Sequence, residues 1–433
     1  MNRGLSVLVA DLRDARRRLL ALVEDLDDDQ LRVPRLAVVN PILWEIGHVA
    51  WFQERWCVRE GDGGAPVLAN ADELYDSAAV HHPTRWGLVL PTRAQTIAYM
   101  TRVLDDAVTR VEGCAENADS RGALYHARLA TMHEDMHGEA LVYTRRTLGY
   151  APPRSAGALP RGSGPHPGDV EVSGGDFELG AALTDDFTFD NEMWAHTRRV
   201  EPFRIARAAV TQGEFAQFVD DGGYARSELW SEAGWRWRIA ENADHPLHWR
   251  RDGAQWTWKH YDRYVELRPH AASIHVNWFE AEAFCAWAGR RLPSELEWEV
   301  AATGEPDGSG TLSRRKRAFP WGDAPPTAEL AHLDLLADEP CDVGAYPAGD
   351  SAFGCRQMIG NTWEWCASDF SAYPGFVAGP YAEYSAPWFT GHKVLRGGCY
   401  ATRARLIRGT YRNFYTPDRR DVLAGFRTCA RRT

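Results

Sequence analysis

LYHARLATMHEDMHGEAL, residues 124–141, carries apolar side chains at Leu124, Leu129, Met132, Met136, Ala140 and Leu141. That is the three-and-four spacing of an amphipathic helix. The spacing predicts a helix from about Ser120 to a stop at Gly149, with Pro152 and Pro153 just beyond. Inside it His133 and His137 stand four residues apart. At that spacing two side chains share a face, with Cβ atoms about 5–6 Å apart, and can hold one metal ion together. His126 precedes His133 by seven residues and is expected to be a surface or supporting residue.

Working outward, three more helices are expected. Leu5, Leu8, Val9, Leu12, Arg16, Leu19, Leu20, Val23 and Leu26 form a stripe near the start of the chain. Asn40 as N-cap and Pro41 at the first helical position open a second helix running through Trp44, His48, Phe52 and Trp56. Thr92 and Gln95 make a capping box for a third. Four helices with one long connection, about residues 57–91, make residues 1–150 a helical bundle. Residues 151–168, APPRSAGALPRGSGPHPG, read as a Pro/Gly-rich linker. From 169 to 433 short strand-like runs alternate with Gly, Pro and Trp, and helices are evident only around Gln212–Asp220, Trp278–Ala288 and Glu295–Ala302. The fold class is α+β: a helical bundle followed by a loop-rich domain with an aromatic core.

Composition narrows the function. The 433 residues carry 49 Lys and Arg against 60 Asp and Glu, a net charge of −11. No basic face for nucleic acid follows from that balance. No apolar run reaches the ~18 residues a membrane span needs. The eight cysteines are scattered with no Cys-x-x-Cys pair, which favours reduced thiols and a cytoplasmic protein.

His48 lies mid-helix in Asn40-Pro-Ile-Leu-Trp-Glu-Ile-Gly-His-Val-Ala-Trp-Phe52. Facing a paired His on a neighbouring helix, it is a plausible third ligand, with Gly47 permitting close approach of another helix. Three neutral imidazoles leave the ion its dipositive charge and open positions for substrate and O₂. His133-Glu-Asp-Met-His137 also matches His-Glu-x-x-His, which would make Glu134 the general base of a zinc hydrolase. A non-catalytic lectin-like binding module, which would not need His48, is the other alternative.

The segment around His48, together with His133-Glu-Asp-Met-His137, resembles the DinB-like iron-binding bundle of the ergothioneine-type sulfoxide synthases. Arg291-Leu-Pro-Ser-Glu-Leu-Glu-Trp298, Gly360-Asn-Thr-Trp-Glu-Trp365, Leu395-Arg-Gly-Gly398 and Ala424-Gly-Phe-Arg427 resemble their formylglycine-generating-enzyme-like, C-type-lectin-like domain. The resemblance implies Fe(II) held by His48, His133 and His137, O₂ as co-substrate, and hercynine (trimethylhistidine) as the small-molecule substrate. It implies that Tyr381 acts on oxygen species and that Tyr384 lines the pocket. Arg412, Asn413, Phe414 and Tyr415 would hold hercynine and the chalcogen donor, and Arg85 would grip a donor carboxylate. Glu297, Trp298, Trp363 and Trp365 are expected to knit the core. The reactive Cys pair of formylglycine-generating enzymes maps to Thr402 and Ile407, with Cys399 before them, which speaks against sulfatase maturation.

Two departures bear on the donor. Tyr415 falls where relatives using γ-glutamylcysteine carry an acidic residue for its ammonium group, and Met136 where a Gln often contacts hercynine. A pocket lacking the acid lacks the counter-charge for an amino-acid donor. The wording of the His48 helix is most similar to the selenoneine synthase branch, whose selenosugar donor carries no ammonium group.

Overall fold

The computed structural model describes residues 3–60, 64–114, 121–154, 157–160, 162–182 and 187–432. The chain divides into two compact units, Met1–Leu148 and Gly149–Thr433.

The first unit contains α1 (Arg3–Ala21), α2 (Asp28–Arg32), α3 (Ile42–Gln53), α4 (Ala71–Tyr75), α5 (Arg93–Gly113) and α6 (Arg121–Leu148). The helices α1 and α3 each pack against both α5 and α6, which makes a four-helix bundle. The stripe on α1 and just beyond it is buried at Leu5, Leu8, Val9, Leu12, Leu19, Val23 and Leu26. Arg16 stays buried on that apolar face because its guanidinium donates to Glu134 (2.7 Å) and Gln53 (2.9 Å). Thr92 and Gln95 form both halves of the expected capping box. Gly149 ends α6 at φ +69°, a conformation L side chains avoid.

The start of α3 differs from expectation. Pro41, not Asn40, occupies the cap position, and no side chain caps the helix. Asn40 is drawn off by long-range partners: its Nδ2 reaches Glu45 (3.4 Å) and its Oδ1 accepts from Arg85 (2.6 Å). Past Gln53 the helix widens into a π-helical turn, Glu54–Arg59. The expected loop after residue 57 therefore carries regular structure: the rest of that turn, α4 and a 3₁₀ turn at His82–Gly87. No described helix is long and apolar enough to cross a membrane.

In the second unit, strands Asn413–Tyr415, Lys393–Arg396, Trp363–Asp369 and Ala424–Gly425 lie side by side in that order. The first two junctions are antiparallel and the last is parallel. A second sheet orders Asp169–Val172, Phe203–Ala206, Cys429–Ala430 and Arg290–Arg291. Helices Gln212–Asp220, Trp278–Trp287 and Glu295–Thr303 form as expected, while Glu232–Ala240 is a helix the sequence reading passed over.

The four motifs of this half are tied together by ion pairs and hydrogen bonds around the helix Glu295–Thr303. The helix Glu295–Thr303 opens on a Ser294–Glu297 capping box, and Glu297 also takes a bidentate pair from Arg291 (2.7 and 2.8 Å). Glu295 pairs with Arg396 (2.8 Å) and Arg412 (2.7 Å). Glu364 accepts from Arg427 (2.6 and 2.7 Å) and from the Trp298 indole (2.8 Å). Burial alone would raise Glu295, but Arg412 and Arg396 hold it below the ordinary carboxylate value. Trp298, Trp363 and Trp365 are all buried in this core. These residues build the scaffold, as expected.

Candidate metal centre

His48 projects from α3, and His133 and His137 from one face of α6. Their ligand nitrogens all lie within 4.8 Å of one another. The ring centroids form a near-equilateral triangle with sides of 5.1, 5.0 and 4.5 Å. His48 donates from Nδ1 to the Tyr75 carbonyl (2.8 Å), and His137 donates from Nδ1 to Glu45 (2.9 Å). Each of those bonds fixes the tautomer and leaves Nε2 with a lone pair for a metal. The His133 ring stacks on Phe52 at 3.7 Å. Burial, with repulsion among the three rings, holds His48 and His133 well below the ordinary imidazole value. Both rings are neutral at pH 7.

The donor set fits a divalent first-row ion: three imidazole nitrogens, with no thiolate or carboxylate joining them among the described residues. Glu134, the base of the hydrolase alternative, does not serve this cluster. Its carboxylate is buried against Arg16 on α1 (2.7 Å), so the charge a water-activating base needs is already neutralised. His126 also stands apart from the cluster, half-buried between Trp56 (5.3 Å) and Tyr125 (5.7 Å).

Arg85 sits on the His82–Gly87 turn. Its guanidinium lies 3.9 Å over the Trp44 ring, and Trp44 stacks on His48 at 5.0 Å and 8°. Burial lowers its pKa to about 10. Glu45, Tyr75 and Trp44 are the residues the sequence reading missed. The available signal was Glu45, a carboxylate three residues before His48 in an otherwise apolar helix.

Gly47 does allow close approach of another helix, through the Tyr75 ring at the end of α4. A Cβ there would lie 2.3–2.6 Å from the ring and hydroxyl of Tyr75. Tyr75 is itself fully buried and supplies the carbonyl that orients His48. Gly47→Ala is therefore expected to cost about 1–3 kcal/mol of stability through overpacking. Metal affinity should fall with it. Thermal unfolding and a metal titration of the variant check both effects.

Within the second unit the remaining residues fall into two groups. Tyr381 and Tyr384 bracket a short 3₁₀ turn and stack at 5.9 Å; Tyr384 leans on Phe414 at 5.5 Å. Phe414 is backed by Phe370 at 4.1 Å, and Asn413 accepts the Phe414 backbone N–H (2.8 Å). These four half-buried residues form one continuous wall. Asp190 and Asn191 clamp its turn: Asp190 accepts from Gly379 N (3.0 Å) and the Ser385 hydroxyl, and Asn191 donates to Ser385 (3.0 Å).

Arg412 is not on the wall. Its buried guanidinium donates to Glu295 and to the Asn191 and Ser371 carbonyls, and it packs 4.0 Å from the Tyr373 ring. Every one of those partners is scaffold. Tyr415 is half-buried, with the Arg419 guanidinium 4.9 Å over its ring. At the positions expected for a sulfatase-maturing thiol pair, Thr402 and Ile407 are both buried. The Cys399 backbone N–H donates to the Thr402 hydroxyl (2.8 Å).

The sulfatase-modifying factor enzyme 1-like domain matches residues 156–432, and the DinB superfamily matches residues 11–141. The hercynine oxygenase of Mycolicibacterium thermoresistibile is 38% identical over 433 aligned residues, spanning 97% of this chain and 94% of that protein. The hercynine oxygenase of Mycolicibacterium smegmatis is 37% identical over 432, spanning 97% of each. The formylglycine-generating enzyme of Streptomyces coelicolor is 32% identical over 331, covering 65% of this chain and 96% of that protein.

Proposed function

This chain belongs to the hercynine oxygenase family of ergothioneine-type sulfoxide synthases, and from that membership we propose that it joins a chalcogen atom to the imidazole of hercynine, using Fe(II) and O₂. The observation that carries this reading is the three-histidine cluster, with its ligand atoms within 4.8 Å and two of its rings fixed through Nδ1. The overall change balances: the imidazole C–H and the donor S–H or Se–H each lose hydrogen. One oxygen atom of O₂ leaves as water and the other stays on the chalcogen. Bound Fe(II) supplies the one-electron chemistry that lets O₂ react at ordinary temperature.

The chain's own groups bind, orient and move a proton. Phe414, braced by Phe370, offers ring surface to a trimethylammonium group through cation–π attraction. Asn413 spends its side-chain carbonyl on the Phe414 N–H, so its amide nitrogen is the group left to donate to a carboxylate. The Tyr381 phenol is the proposed proton donor to reduced oxygen. Arg412 contributes indirectly, tying the start of the Asn413–Tyr415 strand to Glu295.

The donor reading follows from charge. The charged group over the Tyr415 ring is Arg419, a cation already paired with Asp421 (2.6 Å). That neutral pair offers an ammonium group no net counter-charge. A selenosugar, or another donor without an ammonium group, suits it, which supports reading the chain as a selenoneine synthase. The test is a donor panel of a 1-selenosugar, cysteine and γ-glutamylcysteine, each offered with hercynine and O₂ to the Fe(II)-loaded protein. Mass spectrometry should find the adduct with the selenosugar and none with γ-glutamylcysteine. An efficient γ-glutamylcysteine adduct would overturn the donor assignment.

A further inference from the structure

Two of the three imidazoles are braced from behind by residues that converge on Arg85. On one side, the Arg85 guanidinium covers Trp44 (3.9 Å), and Trp44 covers His48 (5.0 Å). Trp44 is pinned in turn by its indole N–H on the Leu74 carbonyl (2.7 Å). On the other side, Arg85 donates to Asn40 Oδ1 (2.6 Å), Asn40 Nδ2 reaches Glu45 Oε2 (3.4 Å), and Glu45 Oε1 accepts from His137 Nδ1 (2.9 Å). Arg85 is itself held by the Val80 carbonyl, which accepts from Nε (3.3 Å) and from a terminal nitrogen (3.2 Å). Glu45 is 2% exposed, and a buried carboxylate persists only where donors surround it.

We propose that Arg85, Asn40 and Glu45 form a brace that orients His137 for the metal, so that Arg85 is a positioning residue of the metal centre. The proposal rests on the metal-binding reading of the histidine cluster. It explains why a guanidinium is kept half-buried on the His48 side of the bundle with three of its nitrogens already engaged. It also explains why Asn40 leaves the cap of α3: its amide bridges Arg85 to Glu45.

The test needs neither hercynine nor O₂. Co(II) alone is titrated into the full chain, and its visible ligand-field bands report both affinity and geometry. Glu45→Gln should weaken Co(II) binding by about 10–100-fold, the usual cost of losing a carboxylate behind a ligating histidine, and should shift the bands. Asn40→Ala should weaken it several-fold. The double variant should be no weaker than Glu45→Gln alone, because Asn40 acts through Glu45. Parental affinity and bands in Glu45→Gln, or effects that multiply in the double variant, would overturn the brace. Should Glu45→Gln not fold, Asn40→Ala decides alone, since unchanged affinity and bands there also overturn it. The expected Co(II) losses across the series, with no modification of hercynine by the Fe(II)-loaded parent, would sink the proposed reaction and leave the brace standing.

Discussion

His48→Ala is expected to lower metal affinity by more than about 100-fold, exceeding the loss seen when only an outer partner of a ligand is removed. Turnover should become undetectable. In the proposed centre the imidazole contributes one of three ligand nitrogens, and its Nδ1 bond to Tyr75 places Nε2 in advance. No other His, Cys, Asp or Glu joins the cluster among the described residues. The variant also leaves space beneath Trp44 and frees the Tyr75 carbonyl, so folding is checked by circular dichroism alongside. Iron content by elemental analysis and product by mass spectrometry read the result. A folded His48→Ala protein that kept full iron and activity would remove α3 from the metal centre.

Tyr381→Phe is expected to reduce coupled product formation by about 10²–10⁴-fold, the usual worth of a positioned acid or base. The ring and its 5.9 Å stack on Tyr384 are retained; only the phenolic proton is lost. Iron binding, which the proposed centre assigns to His48, His133 and His137 alone, should not change. Hercynine binding should persist through Asn413 and Phe414. Oxygen consumption should continue with the oxidant diverted to the donor, giving its oxidised form in place of the imidazole adduct. Measuring O₂ uptake against adduct separates the two outcomes. An unchanged ratio would leave Tyr381 as a packing residue.

Features set by neighbours in sequence were legible beforehand. The His133–His137 pair follows from helical periodicity, and the Thr92–Gln95 box involves residues three apart. His48 was within reach because a polar residue on a buried apolar helix needs a partner. What stayed hidden depends on contacts between segments far apart in the chain. Arg85 meets Asn40 across 45 positions, His137 meets Glu45 across 92, and Arg412 meets Glu295 across 117. Local pattern carries no information about such pairs. For that reason Asn40 read as a helix cap, Glu45 went unnoticed, and Arg412 looked like a ligand-binding arginine. Glu134 shows the same limit: its local pattern matches a hydrolase base, and only the Arg16 contact on α1 assigns it to the bundle core.

The most direct test of the central claim follows one hydrogen atom. The full chain is loaded anaerobically with Fe(II), then given O₂, a selenol or thiol donor, and hercynine deuterated at the imidazole carbon between the two nitrogens. Mass spectrometry should show an adduct that has gained the chalcogen and lost that single deuterium, formed only when metal, O₂ and donor are all present. Hercynine recovered unmodified with its label intact, while the donor or O₂ is still consumed, would contradict the account.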